Sequence, residues 1–247
     1  MIDKVVVIVP ASGTGTRFGS DTPKQFIEIG GIPIIKRTLL ALHNALKNIA
    51  INFEIIVTVP NGFSKMVNDY AIPSVMHVLE GGKTRAESVY NALQYINQNN
   101  PKQSDIVLIH DGVRPFVLEK TICDIIDAVR KYGAAVPCTP VTDTIKMVHT
   151  HENKIKTTVD RDNLWRAQTP QGFRYEIIAQ AYALALSEGI LDNVTDDSAL
   201  MEHANIPVHI VPASPLNIKI TTQEDMIIAE GIVIYLEIER EDNRCKM

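Results

Sequence analysis

Cysteine is scarce in this chain of 247 residues: Cys123, Cys138 and Cys245 are all there is. None stands in a C-x-x-C or other metal-ligand spacing, and an odd, sparse set builds no disulfide framework. That usage points to a reducing, cytoplasmic location. Long apolar runs are missing too. No stretch approaches the roughly 18 residues of a membrane span, and Met1-Ile2-Asp3-Lys4 runs straight into a strand, leaving no room for a signal peptide. A soluble protein without a membrane partner is expected. There is also no basic surplus: 24 Lys and Arg against 29 Asp and Glu give a formal charge of −5. Nucleic-acid binders usually carry the opposite balance, so nucleic acid is excluded as a partner and any phosphate site has to be local. Repeats, linkers and low-complexity tracts are absent. With 45% hydrophobic residues the chain can bury a full core. One domain over 1–238 is expected, followed by a charged tail, 239–247, that frays.

Strand-like runs alternate with helical patterns. Strands are expected over 5–9, 54–59, 75–79, 106–109, 134–137 and 208–212. Helices are expected over 33–47, 64–70, 85–98, 118–132, 174–188, 196–204 and 222–238. This alternation predicts βαβ units and an α/β fold with a mostly parallel sheet. Val89, Ala92, Leu93 and Ile96 recur at helical spacing and give helix 85–98 one buried face. Residues 139–162 break the pattern: alternating residues on either side of a polar turn read as a β-hairpin, an arm inserted into the domain. Thr221 with Glu224 fits a capping box for the last helix.

Two segments carry the chemistry. The first, Pro10 to Gln25, follows the β-branched run Val5-Val6-Val7-Ile8-Val9, typical of a strand buried on both faces. Gly13 and Gly15 lack Cβ atoms, so backbone N–H groups there can approach phosphate oxygens. Arg17 and Lys24 add positive charge. The loop is neither a Walker loop nor a dinucleotide fingerprint, which needs glycine where Phe18 stands. The second segment, His110-Asp111-Gly112-Val113-Arg114-Pro115, follows the strand Ile106-Val107-Leu108-Ile109. In open parallel sheets ligands sit at the carboxyl ends of the strands. The Gly13 loop, the Gly81-Gly82 turn and Asp111 are therefore expected to line one crevice.

Attack of a phosphate monoester on the α-phosphorus of a nucleoside triphosphate develops negative charge on the α-phosphate and on departing pyrophosphate, so cations must be aimed there. Arg17 and Lys24 fit the triphosphate end, with Arg85 and Lys219 as neighbouring charge. Asp111 is placed to hold magnesium, directly or through water. A turn or capping aspartate is the plain alternative for Asp111, and Arg114-Pro115 beside it favours function. His110 reads as a strand-end histidine satisfied by backbone, and His149 and His151 as solvated arm residues. Arg161, Arg166 and Thr169, near the lone Trp165, form either an anion pocket or a packed arm base.

With these residues in view, the chain resembles the 2-C-methyl-D-erythritol 4-phosphate cytidylyltransferase family over nearly its whole length. The matching pieces are PASGTGTRF…PKQ, GGKTRAESV, HDGVRP, PVTDTIK, TVDRDNLWRAQTPQ, TDDSALME and NIKIT, in the family's order. The resemblance implies a Rossmann-like domain whose β-arm crosses into the partner subunit of a homodimer. It also implies CTP and Mg2+ as cosubstrate and cofactor, a phosphorylated polyol as acceptor, and non-mevalonate isoprenoid precursor synthesis. By the same resemblance Arg17, Lys24 and Lys219 are catalytic. Ala11, Ser12, Gly13, Gly15, Gly82, Arg85, Ser88, Asp111 and Gly112 surround CTP, and Arg114, Thr144, Arg161 and Thr169 bind the acceptor. Ser12, Lys83 and Gly112-Val113 depart from the family's usual residues, at the rim and not in the charge pattern. A sister family that transfers CMP to ribitol 5-phosphate shares HD-x-V-R-P; Asn163-Leu164-Trp165 argues against it. A nucleotide-binding regulator without turnover would have lost Arg17, Lys24 or Lys219, and all three are present.

Overall fold

The computed structural model describes residues 4–13, 22–49, 51–99, 101–102, 105–149 and 151–244. Its first strand, β1 (Val5–Pro10), explains the rest of the architecture. Val5, Val7 and Val9 enter one apolar cluster, and Val6 and Ile8 enter another on the opposite face. A strand with no polar face has to lie inside a sheet covered on both sides. β1 pairs in parallel with β4 (Phe53–Val59) on one side and β6 (Ile106–Ile109) on the other. β5 (Val75–Glu80) extends the sheet in parallel beyond β4.

Helices α1 (Ile34–Asn48) and α4 (Glu119–Tyr132) supply Leu39, Leu42, Ile122 and Ile125 to the first cluster. On the other face, α3 (Arg85–Gln98) and α5 (Tyr175–Ser187) supply Val89, Leu93, Ile178 and Tyr182, and α6 (Asp197–His203) supplies Leu200 and Met201. The expected face of α3, Val89, Ala92, Leu93 and Ile96, is the buried one. The short α2 (Ser64–Asn68) lies between β4 and β5.

The other half of the sheet is built on β7 (Ala134–Pro140). Cys138 faces Ala167 of β10 (Trp165–Ala167) and Pro212 of β12 (His209–Pro212). Ala135 faces Gly172 of β11 (Gln171–Arg174) and His209 of β12. Hence β10 and β11 run along one edge of β7 and β12 along the other. β11 is antiparallel and bridges β7 to β6, with Gln171 opposite Ile109. The mostly parallel sheet is as expected, and the antiparallel β10 and β11 are additions to it.

Two peripheral pieces complete the chain. A small hairpin of β2 (Glu28–Ile29) and β3 (Ile32–Pro33) supports α7 (Gln223–Arg244), whose Ala229, Ile232 and Val233 pack with Ile29, Ile34 and Phe116. The helix does not stop at Ile238 and fray: it continues to Arg244, because 239–244 contains no Gly or Pro to break it. Its cap sits one residue later than the sequence suggested. The Asp225 carboxylate accepts from the Thr222 N–H at 2.9 Å, and the Thr222 hydroxyl accepts from the Asp225 N–H at 3.4 Å. The second piece is the hairpin of β8 (Ile145–His149) and β9 (Lys154–Val159), the expected arm, which pairs only with itself among the described residues. No described helix is long and apolar enough to cross a membrane. Cys123 and Cys138 are free, and Cys245 lies outside the described residues.

Candidate active site

The expected crevice exists. A cleft of about 400 Å3 opens at the carboxyl ends of β1, β5 and β6, lined by Ala11, Ser12, Gly13, Lys24, Gly82, Arg85, Asp111 and Lys219. A second lobe, of about 230 Å3, shares Arg85, Asp111 and Lys219 with the first and adds Arg114, Gln168, Thr169 and Thr195. The two lobes meet at Asp111.

Asp111 sits there because buried β6 ends at Ile109 and the chain turns at Gly112. The Gly112 N–H donates to the Pro10 carbonyl at 3.2 Å, and its carbonyl accepts from the Thr38 hydroxyl at 3.1 Å. A Cβ on Gly112 would come within 2.8 Å of the Ala11 Cβ and 2.9 Å of Ile35, so only glycine lets the β6 loop lie this close to the β1 loop. The Asp111 carboxylate accepts from Arg85 Nε at 2.9 Å on Oδ1, and from Lys219 Nζ at 3.0 Å and Arg114 Nε at 3.3 Å on Oδ2. Burial alone would raise its pKa, but Arg85, Lys219 and Arg114, in that order, outweigh it and hold the carboxyl well below the usual range. Arg85 also binds Asp197 Oδ2 through Nη2 at 2.7 Å. Three cations, Arg85, Arg114 and Lys219, thus converge on the Asp111 carboxylate, on a chain that is acidic as a whole.

His110 is fully buried. Its Nε2–H donates to the Arg114 carbonyl at 2.9 Å, and its Nδ1 accepts from the Thr169 hydroxyl, 3.0 Å away. The Thr169 oxygen in turn accepts from the Asp111 N–H at 3.1 Å. Burial pushes the imidazole down to about 4, so this neutral tautomer is the form that makes both bonds. The histidine thus supports the loop, as expected.

The first lobe is tied together by Gln25, which sequence reasoning undervalued, and by Ser88, which it placed at the site. Gln25, buried, donates from Nε2 to the carbonyls of Ala11 at 2.6 Å and Gly13 at 3.1 Å, closing the loop after β1 from inside. Ser88 donates to the Thr84 carbonyl at 2.8 Å and accepts from the Gly82 N–H at 3.0 Å, so the Ser12 hydroxyl, 2.6 Å away, donates to it. Ser88 therefore holds the Gly81-Gly82 turn against the Ser12 loop, and its hydroxyl is spent on the protein. A Cβ on Gly81 would overlap Ser12 at 2.2 Å. Asn217 ties the second lobe: its side-chain amide donates to the Thr169 carbonyl at 2.8 Å, and its own carbonyl accepts from Arg114 at 2.8 Å. Only the wording PKQ and NIKIT hinted at Gln25 and Asn217. TDDSALME held Asp197, without a sign that it faces Arg85.

Sequence-predicted site residues fall into three groups. Ala11, Ser12, Gly13, Lys24, Gly82, Arg85, Asp111, Arg114, Thr169 and Lys219 line the two lobes, with Ser88 and Gly112 directly behind them. Thr144 and Arg161 do not join them: both are exposed, and the Arg161 guanidinium donates to the Thr142 carbonyl at the root of the arm. The Arg161, Arg166 and Thr169 cluster is therefore split, Thr169 going to the site and the arginines to the arm base and β10. Gly15 and Arg17 lie outside the described residues.

Magnesium has little to hold it here. No group of three His, Cys, Asp or Glu side chains among the described residues is placed to bind a metal, and both oxygens of Asp111 are already occupied by cations. The donor set does not fit a resident metal site on Asp111.

A sequence model of the 2-C-methyl-D-erythritol 4-phosphate cytidylyltransferase family, IspD, matches residues 5–235. The chain belongs to the IspD family. Among curated members it is 41% identical to the enzyme of that name from Syntrophus aciditrophicus over 238 residues, covering 94% of this chain and 97% of that one. It is 40% identical to the one from Geobacillus thermodenitrificans, covering 92% and 95%. Solved IspD structures share the fold. The 4-diphosphocytidyl-2C-methyl-D-erythritol synthase of Anaerococcus prevotii superposes with a TM-score of 0.77 at 31% identity, covering 94% of this chain and 96% of that one. The Francisella tularensis IspD superposes with 0.77 at 32% identity, covering 92% and 98%.

Proposed function

We propose that this chain transfers CMP from CTP to 2-C-methyl-D-erythritol 4-phosphate, giving 4-diphosphocytidyl-2-C-methyl-D-erythritol and pyrophosphate in the non-mevalonate route to isoprenoid precursors. The observation that carries the reading is the two-lobed cleft of an IspD-family chain, joined at Asp111 and edged by Lys24, Arg85, Arg114 and Lys219. Two anionic substrates have to meet in such a site, and its cations stand at the meeting point.

In this reading the first lobe takes CTP. Backbone groups around Ala11–Gly13 and Gly82 read the cytosine edge, where an unpaired polar group would penalise the wrong base. Asp111 and Gly112 orient the ribose. The second lobe takes the acceptor phosphate on Arg114 and Thr169. An acceptor phosphate oxygen attacks the α-phosphorus of CTP; the new O–P bond forms as the bond to the bridging oxygen breaks and pyrophosphate leaves. Lys24, Lys219 and Arg17 stabilise the charge that builds on the α-phosphate and the leaving group. Magnesium carried on the triphosphate is part of the substrate, and no step is assigned to a metal held by the chain.

Thr144 and Arg161 belong to the acceptor site in this proposal through a homodimer, the arm of one subunit reaching the second lobe of the other. Exposed Met147, Val148 and Ile155 on the arm support a partner there. A cytoplasmic location belongs to the same reading, supported by the sparse, unpaired cysteines. The match to the methylerythritol family over 5–235 favours this acceptor over ribitol 5-phosphate, and curated relatives named as enzymes favour turnover over a regulatory role. Pyrophosphate release should be measured with CTP, magnesium and each polyol phosphate in parallel. Strong preference for the methylerythritol substrate is expected, and preference for ribitol 5-phosphate would overturn the assignment.

A further inference from the structure

We propose that Asp197, held by Tyr182, is a positioning residue that fixes the Arg85 guanidinium at the junction of the two lobes. The proposal rests on the function proposed above and deepens it. Asp197 is the third residue of TDDSALME, at the start of α6, and its side chain is wholly buried. One carboxylate oxygen accepts from the Tyr182 hydroxyl at 2.6 Å, and the other accepts from Arg85 Nη2 at 2.7 Å. Tyr182 is itself buried, on α5. Two helices, α5 and α6, are thus used to place one anion behind one cation.

Stability gives a poor account of this arrangement. A buried ion pair costs desolvation that its attraction barely repays, and apolar residues of the same volume serve a core as well or better. Position gives a better one. Held at Nε by Asp111 and at Nη2 by Asp197, the guanidinium has a fixed plane, and three of its five N–H groups make no hydrogen bond among the described residues. The two anchors are not equivalent. Asp111 lines the cleft and is the group that substrate engages, whereas Asp197 lies behind Arg85 out of reach of solvent. When Asp111 turns to a bound ribose, Asp197 still holds Arg85 in place.

The test is a double-mutant cycle on Arg85 and Asp197, read by calorimetric CTP affinity with magnesium present and by initial rates. Asp197→Asn is expected to weaken CTP by about tenfold or more, the usual order for breaking a buried, hydrogen-bonded charge pair. The loss should fall on KM for CTP, with kcat kept within about threefold. A residue that only supported the fold would instead reduce the active fraction, lowering kcat at unchanged KM. Tyr182→Phe, which keeps the carboxylate, is expected to cost a smaller factor of the same kind. In an Arg85→Ala background Asp197→Asn should add less than about twofold, because its effect passes through Arg85. It should also raise the melting temperature of that background, since an unpaired buried carboxylate is removed. Multiplying losses, or wild-type CTP affinity in Asp197→Asn, would overturn the proposal. If Asp197→Asn fails to fold, Tyr182→Phe in both backgrounds makes the same comparison. A wild-type protein that binds CTP but turns over no methylerythritol phosphate would sink the proposed function alone, and the affinity cycle would still judge Asp197.

Discussion

The cleft and the arm are built on opposite terms. Around Asp111 the described candidates are held by the chain's own structure: Gln25 pins the loop after β1, Ser88 pins the glycine turn, and Asn217 and Thr169 pin the second lobe. In the arm, among the described residues, β8 and β9 pair only with each other, Ile155 is 63% exposed, and the Arg161 guanidinium donates to the Thr142 carbonyl. The difference teaches that one protein carries two kinds of site residue. The first kind is complete in a single copy. The second stands by a hairpin that pairs only with itself among the described residues and exposes Met147, Val148 and Ile155, and in the proposed reading it joins a site only against a partner subunit.

Four experiments break or sharpen that contrast. The largest expected effect is on the cleft side: Lys24→Ala should lower kcat by about two orders of magnitude or more if Lys24 meets the transition state, measured as pyrophosphate release at saturating substrates. Unchanged turnover would remove Lys24 from the mechanism. Next comes acid stability, which the buried loop controls and the arm does not. His110 titrates near 4 in the folded chain, below its ordinary value, so the stability it contributes is complete above about pH 6.5 and is lost as the pH falls toward 4. The slope in that window should be about 1.4 kcal/mol per pH unit, read as the difference between urea titrations of the wild type and His110→Asn. Parallel curves for the two proteins would refute it.

On the arm side the expected effects are smaller and selective. Arg161→Ala should raise KM for the methylerythritol substrate by about tenfold while leaving CTP nearly unaffected, as loss of one charge-assisted phosphate contact would; equal losses for both substrates would contradict the assignment. Smallest is Ile155→Ser. It removes no core contact, so denaturation of the dilute chain should shift by less than about 0.5 kcal/mol, while sedimentation should show weaker self-association. A large loss of stability with unchanged association would mean that the arm packs on its own subunit.

The same contrast governs how far the sequence could be read. Val5-Val6-Val7-Ile8-Val9 and Ile106-Val107-Leu108-Ile109 announce buried parallel strands because their side chains have no polar face. The loops that follow them inherit their place at the cleft. β11 stayed hidden because Gln171-Gly172-Phe173-Arg174 is short and has no β-branched residue; what makes it a strand is an opening between β6 and β7, a tertiary fact. Asp197 stayed hidden for a similar reason. Its cation, Arg85, stands 112 positions earlier, and beside Asp196 at a helix start it looks like a capping residue. The cap of α7 was misplaced by one because Thr221 and Thr222 are both eligible: the Asp225 carboxylate accepts from the N–H groups of both, and the Thr222 hydroxyl accepts in return from the Asp225 N–H. Thr144 and Arg161 were read as acceptor-binding through the resemblance alone, and among the described residues neither lines the two lobes.

The central claim, that the cleft of one copy works with an arm from another, is tested most directly by mixing two impaired variants. Lys24→Ala and Arg161→Ala subunits are unfolded together, refolded at equal amounts and assayed for CMP transfer to 2-C-methyl-D-erythritol 4-phosphate at subsaturating acceptor. In a mixed two-fold dimer one site would join an intact cleft to an intact arm, so random mixing should recover about a quarter of wild-type activity. Activity no greater than the average of the two variants alone would mean that each arm serves its own cleft, or none.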